Sequence, residues 1–442
     1  MKYIYGLNRS GLSIIKYLDF IKEDYICWDD DINIRSKVLK LNNGIKLKNP
    51  DSLNLDNIKE AYITPGISLY SKKVLPLHEN KIKLFRDLEL YSKQINDQKI
   101  IAITGTNGKS TTTKLIGEII KSNNIKCFVG GNIGLPLMEY KNLNNSAPYH
   151  VIELSSFQLE SAPHFTSYIS VLLNISPDHL DRYNNFREYS QQKEKIISSN
   201  KNSYNIICID DPICNKIFKK YENANTISIS TKPINKGIYF NGQNIVDNYF
   251  YKKKVLRINN ISPSLMGNFN YQNILAGYVV SKILKLNEIK FIDIVENFVG
   301  LPHRLEQIID NKQMLVINNS KATNVDASIK SLQNYNNIYL ILGGQAKDND
   351  FLPFIKFRKK IKKSYLIGNS AEMIYGQFKG YIDSEICYNL KNAISSIIRD
   401  TLLSNISSTI LFSPACTSFD QFENFEDRGD YFKKIIKELI SK

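Results

Sequence analysis

IIAITGTNGKSTTTKLIGEII, residues 100–120, opens on an uncharged apolar run, turns through a glycine loop and closes on a helical pattern. Strand, loop and helix in that order let successive backbone NH groups and a helix N-terminus cradle a polyphosphate. In such a cradle Lys109 meets the β- and γ-phosphates, and Ser110 offers its hydroxyl to Mg²⁺. The generic phosphate-loop spacing is not met strictly, because Ile103 stands where its first glycine belongs. The polar stretch SKQINDQ, 92–98, marks the composition shift at which this segment begins a second domain.

Upstream, KYIY (2–5), the glycine turn GLNRSG (6–11) and YICWDDD (25–31) read as a βαβ opening. Asp29, Asp30 and Asp31 occupy the place of a ribose-binding carboxylate, but Asn8 replaces the second glycine of a dinucleotide fingerprint. AYITPGIS (61–68) reads as a strand ending in Thr64-Pro65-Gly66, which is either an ordinary loop or a turn that exposes NH groups. Downstream, VIEL, YISVLLNI and YNIICID alternate with helical patterns, and residues 227–262 read as an antiparallel excursion. MLVIN, YLILGG, KSYLIG and TILFS then supply a third alternation. The fold class expected is α/β with parallel sheets in three domains. They are a Rossmann-like domain (1–94), a central P-loop ATPase-like domain (95–299) and a C-terminal Rossmann-like domain (300–442).

The chain has 442 residues, 43% hydrophobic and 23% charged, enough to bury two or three cores. Its six cysteines are scattered without zinc or redox spacing and read as reduced thiols. Lys16 and Asp19 interrupt any apolar leader, and no stretch approaches a membrane span, so a cytoplasmic location is expected. The formal charge of +15 is compatible with anionic small substrates or with a Lys-rich composition. Dispersed lysines without a basic-aromatic signature speak against nucleic acid. Glu153 ends one candidate strand and His179 follows another, at the edge where parallel sheets collect ligands. Glu153 is either a metal-binding carboxylate or a helix cap. Because Mg²⁺ prefers oxygen, a His179 ligand implies a second, more borderline metal site.

GTNGKST, ELSSFQLE (153–160) and NISPDHLDR (174–182) followed by a lysine resemble the ATP-dependent Mur ligase family. GGNIGLP (130–136), GLPHRLE (300–306), NSKATN (319–324), LILGGQAKDNDF (340–351) and SPACTSFDQFENFEDRGDYF (413–432) extend the resemblance almost to the C-terminus. They are similar to the branch of the family that adds D-glutamate. The resemblance implies a ligase of peptidoglycan precursor synthesis acting on UDP-N-acetylmuramoyl-L-alanine, D-glutamate and ATP, with two Mg²⁺ sites, no nucleic-acid or membrane partner, and a monomeric state. It implies that Arg9, Ser10, Asp30, Thr64, Gly66, Asn132 and His179 bind the UDP-sugar. Gly105, Thr106, Asn107, Gly108, Lys109, Ser110, Thr111, Asn270, Arg304 and Asn319 would bind ATP. Thr323, Lys347, Ser418 and Phe425 would bind D-glutamate. Lys109, His179, Lys193 and Lys321 would be catalytic, and Ser110, Glu153, His179 and Lys193 would hold metal.

The metal role of Lys193 requires a carbamate, placed in this family four residues after an aromatic, here Tyr189; Lys195 is the alternative. His303 and Arg304 would contact ATP, form a hinge or serve folding alone. Two positions depart from the family pattern: Phe269 replaces a histidine in MGNFNYQN, and Asn319 replaces an aspartate. They leave open a catalytically silent nucleotide-binding protein, and a folylpolyglutamate synthetase is the other rival, although it should lack NSKATN and SPACTSFDQF.

Overall fold

The computed structural model describes residues 1–95, 97–139, 147–178, 182–311, 313–347, 349–402 and 407–440. Its strands form three sheets. The first contains β1 (Lys2–Tyr5), β2 (Tyr25–Trp28), β3 (Glu60–Ile63) and β4 (Lys83–Phe85), all parallel, in the order β2-β1-β3-β4. Because β1 has β2 on one side and β3 on the other, the chain leaves it in opposite directions. A crevice therefore opens at its carboxyl end, at the glycine turn.

The second sheet joins β5 (Lys99–Thr104), β6 (Cys127–Gly131), β7 (Tyr149–Glu153), β8 (Ile169–Leu172), β9 (Tyr204–Cys208) and β10 (Thr226–Ser230) as parallel strands. β11 (Ile238–Asn241), β12 (Asn244–Asp247) and β13 (Lys254–Arg257) extend it, the last two antiparallel, where the sequence suggests an antiparallel excursion. β5 lies between β7 and β8, a second switch point. It is buried from Ile100 to Thr104, which is why IIAIT shows no polar alternation.

The third sheet has the order β14-β15-β19-β16-β17-β18, from β14 (Glu306–Asp310), β15 (Met314–Asn318), β16 (Ile338–Gly343), β17 (Ile361–Ile367), β18 (Ser384–Tyr388) and β19 (Ser408–Phe412). Only β14 pairs antiparallel.

The chain makes two compact units, residues 1–259 with 271–296, and residues 260–270 with 297–442. The first holds two sheets; Ile4 of one and Ala102 and Ile152 of the other belong, with the helix residues Leu18 and Leu88, to one continuous core. The division expected at 94/95 thus falls inside this unit, and the one expected at 299/300 lies three residues from its end. In the second unit, cores on the two sheet faces are centred on Leu340, Leu342 and Leu411, and on Ile341, Ile410 and Phe412. Among the described residues no helix is long and apolar enough to cross a membrane.

Candidate active site

The loop leaving β5 turns at Gly105 (φ 156°) and Gly108 (φ 87°), and Gly108 caps the helix Lys109–Ser122. A side chain at Gly108 would be strained by that φ and would bring a Cβ within 2.6 Å of Asn273 Oδ1. Asn174, beyond β8, braces the loop. Its carbonyl accepts from Thr106 N (2.8 Å), its Oδ1 accepts from Asn107 N (2.9 Å), and its Nδ2 donates to Asn107 O (3.0 Å). Thr106 Oγ1 donates to Ser176 O and lies 3.0 Å from the Tyr189 hydroxyl. Lys109 Nζ curls back onto the carbonyls of Gly105 and Thr106, 2.8 Å each. Ser110 and Thr111 follow, both buried, on the first helical turn.

Glu153 ends β7 beside this loop and is 1% exposed. Asn132 Nδ2 donates to its Oε1 at 2.9 Å, whereas its Oε2 is buried with no hydrogen-bond partner among the described residues. A carboxylate oxygen left so is costly, on the order of 1–3 kcal/mol, and a cation offsets that cost. A carboxylate oxygen and a hydroxyl such as that of Ser110 are donors of the kind Mg²⁺ prefers. The neighbour of Glu153 is Lys193, 2% exposed, which donates from Nζ to Gly105 O (2.8 Å) and lies over the Tyr189 ring. Burial, then the charge of Lys109, holds the Lys193 ammonium well below the usual lysine range. Lys195 is exposed, and its Nζ donates to Glu160 O. Of the two candidate lysines, the one whose Nζ reaches the phosphate loop is Lys193. His179 lies outside the described residues.

A cavity of about 500 Å³ opens at the carboxyl end of β1. Arg9, Ser10, Asp30, Thr64, Gly66 and Asn132, all singled out in the sequence, line it together with Asp29, Gln158 and Gly134. Asp29 fixes the turn by accepting from Leu7 N (2.6 Å) and Asp31 N (2.9 Å). Asp30 faces outward. Partial burial would raise its carboxyl, but hydrogen bonds from Lys73, Tyr5 and Trp28 outweigh that and hold it below the usual range. Arg9 Nη2 donates across the cavity to Gly134 O.

In the second unit, β15 ends in the loop Asn319-Ser320-Lys321. Asn319 Nδ2 donates to Ser413 Oγ (3.1 Å) and its Oδ1 accepts from Leu305 N (3.3 Å). Lys321 Nζ stands 3.5 Å from the Phe425 ring centroid, a cation–π pairing that brings together two residues given separate roles. Reciprocal backbone bonds between Gln345 and Thr417 tie the loops carrying exposed Lys347 and buried Ser418, while Thr323 is half-buried beyond Lys321. His303 is 4% exposed; its ring meets Asn318 Nδ2 (3.0 Å) and the edge of Phe425, so it packs within this unit. Arg304 follows it, half-buried. Asn270 Nδ2 donates to Met266 O and Ser264 O. Phe269 packs on the core of Leu305, Ile317 and Leu332, which gives this departure from the family pattern an apolar seat.

Across 99% of its length this chain is 35% identical to the UDP-N-acetylmuramoylalanine–D-glutamate ligase of Rickettsia bellii, of which it covers 97%. The chain belongs to the Mur ligase family. The description of the Mur ligase middle domain matches residues 103–281. Two solved Mur ligases of Thermotoga maritima share the fold. The UDP-N-acetylmuramate–alanine ligase MurC has a TM-score of 0.60 at 16% identity, with 100% of this chain and 99% of that one covered. MurF in complex with ADP has a TM-score of 0.60 at 15% identity, with 88% and 91% covered.

As a Mur ligase the chain carries structural anchors that sequence reading missed. Arg428, 1% exposed, reaches Ser320 O, Cys416 O and Thr417 O from the helix Phe425–Ile440, joining the loops of Lys321 and Ser418. Burial lowers its guanidinium to about 10. Gln158, inside the quoted ELSSFQLE, is a missed cavity residue that carried a sequence signal, since its Oε1 closes a capping box with Ser155.

Proposed function

We propose that this Mur ligase joins D-glutamate to UDP-N-acetylmuramoyl-L-alanine at the expense of ATP, in peptidoglycan precursor synthesis. The observation that carries the reading is the convergence at the end of β5 of Lys109, Ser110, the unpartnered Glu153 oxygen and Lys193. A carboxylate is a poor electrophile, so its oxygen first attacks the γ-phosphorus, ADP leaves, and an acyl phosphate forms. The neutral amine of D-glutamate then attacks the acyl carbon, loses a proton, and phosphate departs.

Each group has a part in this. Loop residues 105–108 and Thr111 hold the phosphates, and Lys109, released from the loop carbonyls, pairs with the transferring group where charge develops. Ser110 and Glu153 hold the first Mg²⁺; Lys193 and His179 hold the second. Bound Mg²⁺ supplies charge neutralisation for phosphoryl transfer. Lys193 becomes a suitable ligand when its neutral Nζ adds to CO₂ and releases a proton, giving a carbamate oxygen. Arg9, Ser10, Asp30, Thr64, Gly66, Asn132 and His179 bind the UDP-sugar. From the second unit the reading assigns Lys321 a catalytic cation, Asn270, Arg304 and Asn319 contacts to ATP, and Thr323, Lys347, Ser418 and Phe425 contacts to D-glutamate. It further describes three functional domains, 1–94, 95–299 and 300–442, in a cytoplasmic monomer. The test is release of ADP and phosphate, expected only when UDP-N-acetylmuramoyl-L-alanine, D-glutamate, ATP and Mg²⁺ are all present. Equal turnover with L-glutamate and a folate acceptor would reject it.

A further inference from the structure

Arg86 connects β4 to the helix Asp87–Ser92 and has no exposed side-chain surface. Its Nη1 lies 3.0, 2.8 and 2.9 Å from the carbonyl oxygens of Ile63, the last residue of β3, and of Thr64 and Ile67 in the turn that follows. Its Nη2 donates to the carboxylate of Glu160, which follows the helix Ser156–Leu159 beyond β7. The backbone closes the same seam, with Arg86 N on Ser161 O (3.1 Å) and Ser161 Oγ on Leu84 O (2.5 Å). Arg182 Nη2 adds a further bond to Ile67 O at 2.7 Å.

Thr64, Pro65, Gly66 and Ile67 line the 500 Å³ cavity, and Gly66 faces open space, since a Cβ there would meet nothing within 4 Å. The turn therefore directs carbonyls towards Arg86 while its other side borders the cavity. The next residue repeats the device with opposite charge. Asp87, 1% exposed, accepts from Gln158 Nε2 (3.3 Å) and from Ser10, and both of those residues line the same cavity.

We propose that Arg86 is a positioning residue for the UDP-sugar, fixing the Thr64–Ile67 turn to Glu160 and so setting the distance between the two walls of the cavity. The inference rests on the reading of that cavity as the UDP-sugar site. A guanidinium suits the task because its planar fork serves carbonyls along one edge and a carboxylate along another, whereas an ammonium is a compact point charge. No substrate atom need touch Arg86; its effect passes through the turn.

The test compares Arg86→Lys and Glu160→Gln with the wild-type enzyme. The measurements are steady-state constants for each substrate, calorimetric binding of UDP and of UDP-N-acetylmuramoyl-L-alanine, and thermal melting. In Arg86→Lys the KM for UDP-N-acetylmuramoyl-L-alanine should rise about tenfold or more, with kcat at saturation and the KM values for ATP and D-glutamate within about twofold of wild type. Glu160→Gln, which keeps an acceptor for Nη2, should move the same KM by a smaller factor. A folded Arg86→Lys enzyme with unchanged acceptor KM overturns the proposal, as does a uniform fall in kcat across all substrates. Should Arg86→Lys fail to fold, Glu160→Gln decides alone, and a wild-type acceptor KM in it is again contrary. Failure of the wild-type protein to bind UDP or the acceptor would instead defeat the reading of the cavity and this inference with it.

Discussion

Among the described residues Lys193 has no ion-pair partner in its hydrogen bonds and is buried against a backbone carbonyl and an aromatic ring. Burial, then the charge of Lys109, lowers its pKa, so the neutral amine that carbamate formation needs is more accessible here than on an exposed lysine. As pH falls the ammonium returns and carbamate occupancy should fall with it. Lys193→Ala should lose at least about a hundredfold in kcat and recover part of it with added formate or acetate, measured by ADP release. Bicarbonate restoring activity to CO₂-depleted wild type, and not to the variant, is the matching control. A carbamate found by mass spectrometry on Lys195 would move the assignment. Lys347 belongs to a different test. A charge-assisted hydrogen bond contributes roughly 1.5–3 kcal/mol, so Lys347→Ala should lower kcat/KM for D-glutamate about ten- to a hundredfold and leave ATP affinity nearly unchanged. Collapse of ATP binding with normal D-glutamate kinetics would place Lys347 in the nucleotide site.

Among the elements, β7 carries a pH-sensitive part of the fold as well as Glu153. His150 in this strand is 0% exposed, packed near Tyr91 and Phe128, with the Tyr91 hydroxyl 2.7 Å from Nδ1. Burial lowers it to about 4. The unfolded histidine takes its proton near pH 6.5, so between those values the unfolded chain holds the extra proton. Stability is complete above about pH 6.5 and falls as pH drops towards 4, by about 3 kcal/mol from this group. Urea unfolding across that range should show the loss, and His150→Gln should flatten it. β5, its loop and its helix were legible because an uninterrupted apolar strand beside glycines has few other uses. β4, β14 and β18 were not, being a three-residue strand and two edge strands with little full burial. The helix holding Lys193 looks solvent-facing in QQKEKI, and only the family spacing pointed to that residue. Arg86 gave no signal, and Arg428 was quoted within SPACTSFDQFENFEDRGDYF without a role, since their partners include carbonyls of loops distant in sequence.

For the molecule as a whole, the charge of +15 has a use if every substrate is an anion. Steering by that field predicts that raising salt from about 50 to 300 mM lowers kcat/KM for UDP-N-acetylmuramoyl-L-alanine severalfold while kcat changes little. No salt dependence would leave the charge as composition alone. The path of the chain between its two units bears on a different kind of experiment. The backbone passes from one unit to the other at 259/260, 270/271 and 296/297, because residues 260–270 fold with the C-terminal unit. This short segment supplies Phe269 to that unit's core, and Ser262 Oγ donates to Phe298 O. A gene fragment beginning at residue 297 would therefore encode a body with an unfilled aromatic seat, and should be recovered mainly as insoluble protein. Modules of this chain are not beads on a string, and a recombinant C-terminal third should become self-sufficient only when residues 260–270 are grafted back onto it.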